Sequence, residues 1–201
     1  MTESRQTEKQ VRSFIAIPVP DEGIQALEAV VQTFDSEIGH QVRWVRSEGI
    51  HLTLKFMGNI PAGMVDRVLA ALPGVTAKFS PLKVGIAGLG VFPNLRQPRV
   101  LWAGLDGDLS TLAALQLAVD DAVGELGLPK EQRAFSPHLT LGRVRREASD
   151  GQLLKIGEVV SAAKLAVLPS WTASAVNLMR TELDPDGSRH YLVGTASIGG
   201  T

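Results

Sequence analysis

Apolar residues recur along the chain with two spacings, one typical of strands and one typical of helices, and the two alternate. Residues 12–19 form a β-type run closed by prolines, after which Asp21 is expected to cap a helix. The apolar positions of that helix follow helical spacing: Ile24, Leu27, Val31, Phe34 and Ile38. A strand followed by a helix is therefore the first unit that the pattern predicts.

The same succession continues to the end of the chain. The pattern predicts strands over 41–45 and 51–57, a helix over 61–72 that stops at Pro73-Gly74, strands over 82–92 and 99–105, a helix over 108–127, a strand at 138–141, a helix over 149–164 and a closing hairpin around the turn 184–187. Several neighbouring strands are linked by turns too short for parallel crossovers. The predicted fold class is therefore α+β, with two mixed or mainly antiparallel sheets.

The tetrapeptide His-Leu-Thr-Leu occurs twice, at 51–54 and at 138–141, in a chain with only four histidines. Both copies are predicted strands followed by a helix, which indicates an internal duplication with two lobes that bring one copy each to a shared cleft. Because side chains alternate along a strand, each histidine shares a face with the threonine two residues later. A chance repeat of this kind is on the order of one in several hundred, which favours a functional pair over two structural strands.

Composition narrows the classes of function. The 201 residues, 44% of them hydrophobic, suit one domain or two intimately packed lobes; we expect residues 1–11 to be a disordered polar tail and 12–197 to be the bilobal domain. A net charge of -1 gives no overall attraction to nucleic acid or to an acidic membrane, so any polyanion site must be local. The sequence has no cysteine, no signal-peptide pattern and no membrane-spanning run, so we expect a cytoplasmic protein.

Two histidines and two hydroxyls on facing strands are suited to phosphate chemistry. At neutral pH one imidazole can act as a base while the other acts as an acid. Cleavage of a phosphodiester without a metal ion needs both, together with hydrogen-bond donors for the non-bridging oxygens. We therefore assign His51 and His138 to proton transfer and Thr53 and Thr140 to the phosphate.

At these residues the sequence resembles the two-histidine phosphoesterase superfamily, and within it the LigT-like RNA 2',3'-cyclic phosphodiesterases, historically called 2'-5' RNA ligases. The resemblance extends to "RSFIAI" (12–17), "VRWVRSEGIHLTLKFMG" (42–58), "PRVLWAGL" (98–105), "FSPHLTLGR" (135–143) and "LMRTELDPDGSRHYLV" (178–193). The family usually has Ser where Thr181 stands, a departure that we expect to touch no catalytic position. The resemblance implies a bilobal fold with outer helices, a V-shaped central cleft, and neither a metal nor another cofactor.

The implied reaction is hydrolysis of a terminal 2',3'-cyclic phosphate to a 2'-phosphate end, with ligation as its reverse. The resemblance assigns His51 as the acid that protonates the departing 3' oxygen and His138 as the base that activates water; the symmetry of the motifs leaves the opposite direction open. Phe56 and Arg143 match family contacts to a base and to a phosphate. Strict alternation places both opposite their histidines, unless a bulge turns them inward.

The implied partners are RNA ends with a 2',3'-cyclic phosphate, among them tRNA halves, or small cyclic nucleotides, bound by a monomer with no membrane contact. A non-catalytic module that binds RNA ends is the alternative function, and a metallohydrolase using both histidines is a third. The basic residues Arg43, Arg46, Lys55, Arg99 and 143–147 either guide RNA or form a solvated face. Surface roles are expected for His40 and His190, which lack a partner Thr. The glycines of 85–90 suggest close strand packing, and Trp44 and Trp102 suggest core positions near the cleft.

Overall fold

Strands and helices alternate along the chain in the order that the sequence predicts. The computed structural model describes residues 9–163, 168–184 and 187–200. The elements are β1 (Gln10–Pro18), α1 (Asp21–Ile38), β2 (Val42–Trp44), β3 (His51–Pro61), α2 (Ala62–Thr76), β4 (Leu82–Phe92), β5 (Val100–Gly107), α3 (Leu109–Glu125), β6 (Leu139–Val144), α4 (Asp150–Ala162), β7 (Ser170–Ala173), β8 (Ala175–Asp184) and β9 (Gly187–Ser197). Residues 1–8 of the predicted tail, residue 164 of the last predicted helix and 185–186 of the predicted turn lie outside the described residues.

Within the described residues the strands form one antiparallel sheet in the order β7-β4-β5-β6-β3-β1-β8-β9, with β2 also paired to β6. The order has a twofold pattern about its centre: the motif strands β6 and β3 lie in the middle, and the strands β5 and β1 that precede α3 and α1 lie next to them. The predicted α+β class, the antiparallel pairing and the duplication are confirmed. The expectation of two separate sheets needs one correction, because the Leu52–Leu139 pair joins the halves.

The chain that leads into the predicted closing turn forms two strands, β7 and β8. Residues 170–173 pair with β4 at one edge of the sheet, whereas residues 175–184 pair with β1 towards the other edge. Since only Ser174 separates these segments, the sheet must curl to bring its two ends together.

Apolar side chains on one face of the sheet pack with the helices into a continuous core. The leucines of both tetrapeptides (Leu52, Leu54, Leu139 and Leu141) are at most 3% exposed. The helices contribute residues at helical spacing, such as Leu27, Phe34 and Ile38 from α1. No described helix is long and apolar enough to cross a membrane.

Two helix ends differ from the sequence prediction. Pro20 occupies the cap position of α1, and Asp21 is the first helical residue, where its charge favours the positive end of the helix dipole. Helix α2 continues through Pro73 to Thr76. Proline cannot donate a hydrogen bond, but its carbonyl accepts one from the Ala77 N–H at 3.1 Å. Burial of Val75 and Thr76 extends this helix beyond the expected stop.

A bulge interrupts β3 immediately after the first motif. Ala16 of β1 pairs with Thr53, but the preceding residue Ile15 pairs with Lys55, so Leu54 is an extra residue in β3. An extra residue reverses the alternation of side chains beyond it. Lys55 therefore points to the same side as Leu54 and is only 4% exposed.

The buried Lys55 ammonium contacts two oxygen atoms. Its Nζ lies 2.5 Å from Asp120 Oδ1 of α3 and donates a hydrogen bond to the Pro129 carbonyl at 2.7 Å. Asp120 also accepts from the Glu131 N–H at 3.1 Å. Lys55 is thus removed from the residues expected to face RNA, and it anchors the bulge to α3.

We expect Lys55→Met to lower the free energy of unfolding by about 3–5 kcal/mol, because the Asp120 carboxylate would remain buried without its cation. Urea unfolding followed by circular dichroism would measure the difference. The matched control is Lys130→Met, whose partner Asp121 forms an exposed ion pair next to the buried one and should matter little. Equal losses in the two variants would contradict the anchoring role of Lys55.

Candidate active site

The polar faces of both motif strands line one cleft. His51 and Thr53 from β3 and Thr140 and Arg143 from β6 lie on its walls. His138 precedes β6 by one residue, and its ring packs edge-on against Phe92 with 5.1 Å between ring centroids. Three of the four predicted motif residues therefore line one cleft, and His138 lies beside it, close enough to His51 to affect its pKa.

The antiparallel pairing of Leu52 with Leu139 fixes the arrangement of the two motifs. Continued in that register, the pair sets His51 opposite Thr140 and Thr53 opposite His138. Each histidine is thus combined with the threonine of the other copy as well as its own. One small ligand between the strands can contact groups from both copies.

Each catalytic candidate is oriented by the backbone two residues before it. His138 Nδ1 lies 2.7 Å from the Ser136 carbonyl oxygen. Because a carbonyl only accepts, Nδ1 carries a proton, and in the neutral ring Nε2 keeps its lone pair free. His51 forms the corresponding hydrogen bond with the backbone of Gly49.

The surroundings of His51 disfavour its charged form. Burial, followed by the positive charges of His190 and His138, lowers the pKa of His51 to about 4, although the hydrogen bond to Gly49 acts in the opposite direction. In the ligand-free protein His51 is therefore neutral at pH 7.

Two aromatic rings that sequence reasoning did not assign to the site enclose His51. Phe14 of β1 stacks on the His51 ring with 4.4 Å between centroids and 23° between planes. His190 of β9 meets the same ring edge-on at 5.2 Å. The expected surface role of His190 is wrong: it is partly buried, lines the cleft, and its Nδ1 lies 3.0 Å from Thr181 Oγ1.

A sequence signal for this contact existed in the closing hairpin. Thr181 and His190 stand three residues before and three residues after the 184–187 turn, so hairpin register makes them direct partners, as observed. The expectation that His190 lacks a threonine partner considered only neighbours along the chain.

A second bulge makes the two copies alike beyond the tetrapeptides. Trp102 of β5 pairs with Thr140, but Leu101 pairs with Gly142, so Leu141 is the extra residue of β6. Arg143 consequently faces the cleft, and the corresponding bulge in β3 turns Phe56 to the cleft as well. The inward orientation that the sequence allowed through a bulge is present in both strands.

Phe56 and its neighbours form an exposed aromatic surface at the cleft. The Phe56 side chain is 47% exposed, so it is not a core residue. The guanidinium carbon of Arg12 lies 4.6 Å from the centre of its ring. One face of the ring is therefore covered by a cation, a contact that sequence reasoning also missed.

Two aromatic side chains of the neighbouring strands pack next to His138. Trp102 lies 6.5 Å from the His138 ring and packs against Phe92. A Cβ at Gly90 would collide with the Trp102 ring and one at Gly85 with the Asp106 side chain, so the expected close packing is present at these two glycines, whereas Gly88 has open space around it. Trp44 lines the cleft and donates a hydrogen bond to Asp35 Oδ1 at 2.7 Å, whereas Trp102 lies outside the cleft lining, next to His138.

The cleft is locally positive although the protein is nearly neutral. Its described lining includes four arginines (Arg12, Arg43, Arg46 and Arg143) and no carboxylate, whereas Arg99 lies outside it. Such an arrangement attracts a polyanion to one place on the surface. Positive charge is thus concentrated in this cleft although the net charge of the protein is only -1.

Comparisons with known proteins agree with this geometry. The LigT like Phosphoesterase family model matches residues 17–102. A protein of Methanothermobacter thermautotrophicus named RNA 2',3'-cyclic phosphodiesterase is 32% identical over 89% of this chain and 94% of its own length. One of the same name from Archaeoglobus fulgidus is 33% identical over 68% of this chain and 74% of its own.

A solved structure shows the same fold over nearly the whole molecule. The crystal structure of TT0787 from Thermus thermophilus has a TM-score of 0.76 and 26% sequence identity, and it covers 94% of this chain and 98% of its own. Sequence and fold thus place this chain in the LigT-like phosphoesterase family.

Proposed function

We propose that this protein hydrolyses the 2',3'-cyclic phosphate at an RNA end to a 2'-phosphate, without a metal ion. The observation that carries the proposal is the cleft that His51, Thr53 and Thr140 line, with His138 beside it in the motif strand paired through Leu52 and Leu139 and close enough to His51 to lower its pKa. The relatives named RNA 2',3'-cyclic phosphodiesterase support the same reaction.

In this proposal the cyclic phosphate lies between the two motifs. The hydroxyls of Thr53 and Thr140 donate hydrogen bonds to its non-bridging oxygens, and the Arg143 guanidinium adds forked donors. These contacts hold phosphorus in line with the attacking water and stabilise the charge that develops on the oxygens.

The proton transfers follow from the positions of the two imidazoles. His138 Nε2 takes a proton from water as the new P–O bond forms, and His51 gives a proton to the 3' oxygen as the P–O3' bond breaks, which leaves the phosphate on the 2' oxygen. His51 must then gain its proton together with the anionic substrate, because its pKa is low in the empty cleft. The opposite assignment begins from a neutral His51, so the direction needs an experiment.

The remaining cleft residues suit an RNA end. Phe56 offers a face for stacking of a base of any identity, and Arg43 and Arg46 offer cations to a phosphate backbone. Ligation is the reverse reaction, with a 5'-hydroxyl in place of water. It stays a prediction that the protein is a monomer, that it is cytoplasmic and that it acts on tRNA halves or small cyclic nucleotides. Light scattering would measure the oligomeric state, cell fractionation the location, and a comparison of substrates the preferred ligand.

His51→Ala and His138→Ala should each lower turnover of an RNA oligonucleotide with a 2',3'-cyclic phosphate by about 10²–10⁴-fold, since each removes one proton-transfer group. The assay contains EDTA, and the product is identified by its 2'-phosphate. His40→Ala, which alters an exposed histidine outside the described cleft lining, is the control. Full activity in either motif variant would contradict the proposal, and tight binding without turnover by the wild type would favour the binding module.

A substrate with sulfur at the bridging 3' position distinguishes acid from base. A thiolate leaves without protonation, so a variant that lacks the acid should recover most of its deficit on this substrate, while a variant that lacks the base should not. We expect recovery in His51→Ala and none in His138→Ala. Recovery in His138→Ala alone would reverse the assignment.

Phe56→Ala should raise KM for an RNA end with a full 3'-terminal base by roughly 5- to 150-fold, which corresponds to the 1–3 kcal/mol of one base–aromatic stack. We expect little change in kcat, because the ring does not touch the reacting atoms. Phe56→Tyr keeps the aromatic face and serves as the control. An abasic substrate should abolish the difference; a deficit that persists there would contradict stacking.

A further inference from the structure

His190 belongs to a group of three rings that encloses the first motif histidine. Phe14 covers the face of His51, while His190 contacts both rings edge-on, at 5.2 Å from His51 and 5.0 Å from Phe14. Both contacts are in the edge-to-face geometry that ring quadrupoles favour. The proposed reaction assigns His190 no role, although it lines the cleft.

The position of His190 is fixed from two further directions. Thr181, its partner on β8, holds Nδ1 through a 3.0 Å hydrogen bond. On the other side the ring lies against Gly49, where an added Cβ would be 3.7 Å from His190 Cδ2. Gly49 is also the residue whose backbone hydrogen-bonds His51. His190 therefore packs against the ring of His51 and against its backbone support.

We propose that His190, held by Thr181, is a positioning residue that fixes the His51 ring for proton transfer. This inference rests on the proposed function and adds a third histidine to its machinery. A single hydrogen bond to the backbone leaves an imidazole free to tilt, and Phe14 restricts it from one face only. The edge of His190 restricts the remaining freedom.

His190 also affects the protonation of His51. Two charged or titratable groups interact with the His190 ring, Arg12 from β1 and His51 from β3. Its other neighbours, Thr181 and Gly49, carry no titratable group. Burial, followed by the charge of Arg12, lowers the pKa of His190, and His190 in turn lowers that of His51. Protons on both rings at once are therefore disfavoured.

The test is a double-mutant cycle between His190 and His51. His190→Ala should lower kcat by about 10- to 100-fold, the scale of a misplaced catalytic group, with KM changed less than about threefold. His190→Phe keeps the ring edge and should regain most of the loss. In the His51→Ala background, under single-turnover conditions, His190→Ala should have no further effect, because the ring it positions is gone.

Two outcomes of the cycle would overturn the inference. Equal losses in both backgrounds would show that His190 contacts the substrate itself, and no loss in the wild-type background would show that it has no part in the reaction. Full activity of His51→Ala alone would instead contradict the proposed function. Thermal unfolding of every variant separates these results from loss of folded protein.

A milder pair of substitutions tests the same step without removing a ring. Thr181→Val removes the hydroxyl but keeps the shape and should lower kcat in the same direction as His190→Ala. Thr181→Ser keeps the hydroxyl and should behave as wild type. Nitrogen-15 NMR titration of the histidine rings should show the His51 pKa rising in His190→Ala. Identical kcat in Thr181→Val and Thr181→Ser would overturn the role of the Thr181 contact.

Discussion

The site depends on one residue pair at the centre of the sheet. The two motif strands are joined in antiparallel register only at Leu52 and Leu139, both completely buried. Because register along a strand has a period of two, a slip by a single residue would turn one histidine and its threonine into the core. Burial of the two leucines makes that slip costly. The buried leucines of each motif thereby determine where its histidine and threonine lie.

The two bulges extend this arrangement by one more residue in each copy. Without them, the side chains five positions after His51 and His138 would point into the core; with them, Phe56 and Arg143 face the cleft. The bulge in β3 also brings a lysine into the core, where Asp120 compensates its charge. A buried ion pair of this kind adds little net stability compared with apolar residues. Its contribution is to fix the conformation of the bulge that Phe56 requires.

The sequence was sufficient for most elements and for the four motif residues, because both rest on local patterns. Helical spacing and the repeated tetrapeptide are visible within a few residues. The failures involve packing between distant segments: burial of Val75 extends α2 past Pro73, and Thr181 finds His190 only across a hairpin. The bulges could not be predicted for the same reason, because the extra residue in β3 is recognised only from the pairing of β3 with β1. Alternation therefore predicted an orientation for Phe56 that the folded sheet reverses.

Duplication gives two histidines in equivalent positions on the motif strands, whereas acid–base catalysis needs one of them protonated and the other neutral. The difference comes from neighbours that the duplication does not copy. His51 is enclosed by Phe14 and by a third histidine from the closing hairpin, whereas the ring beside His138 on the other wall is the apolar Phe92. Burial, followed by the charge of His190, lowers the pKa of His51. The closing hairpin thus supplies His51 with a titratable neighbour that the repeated motif does not contain.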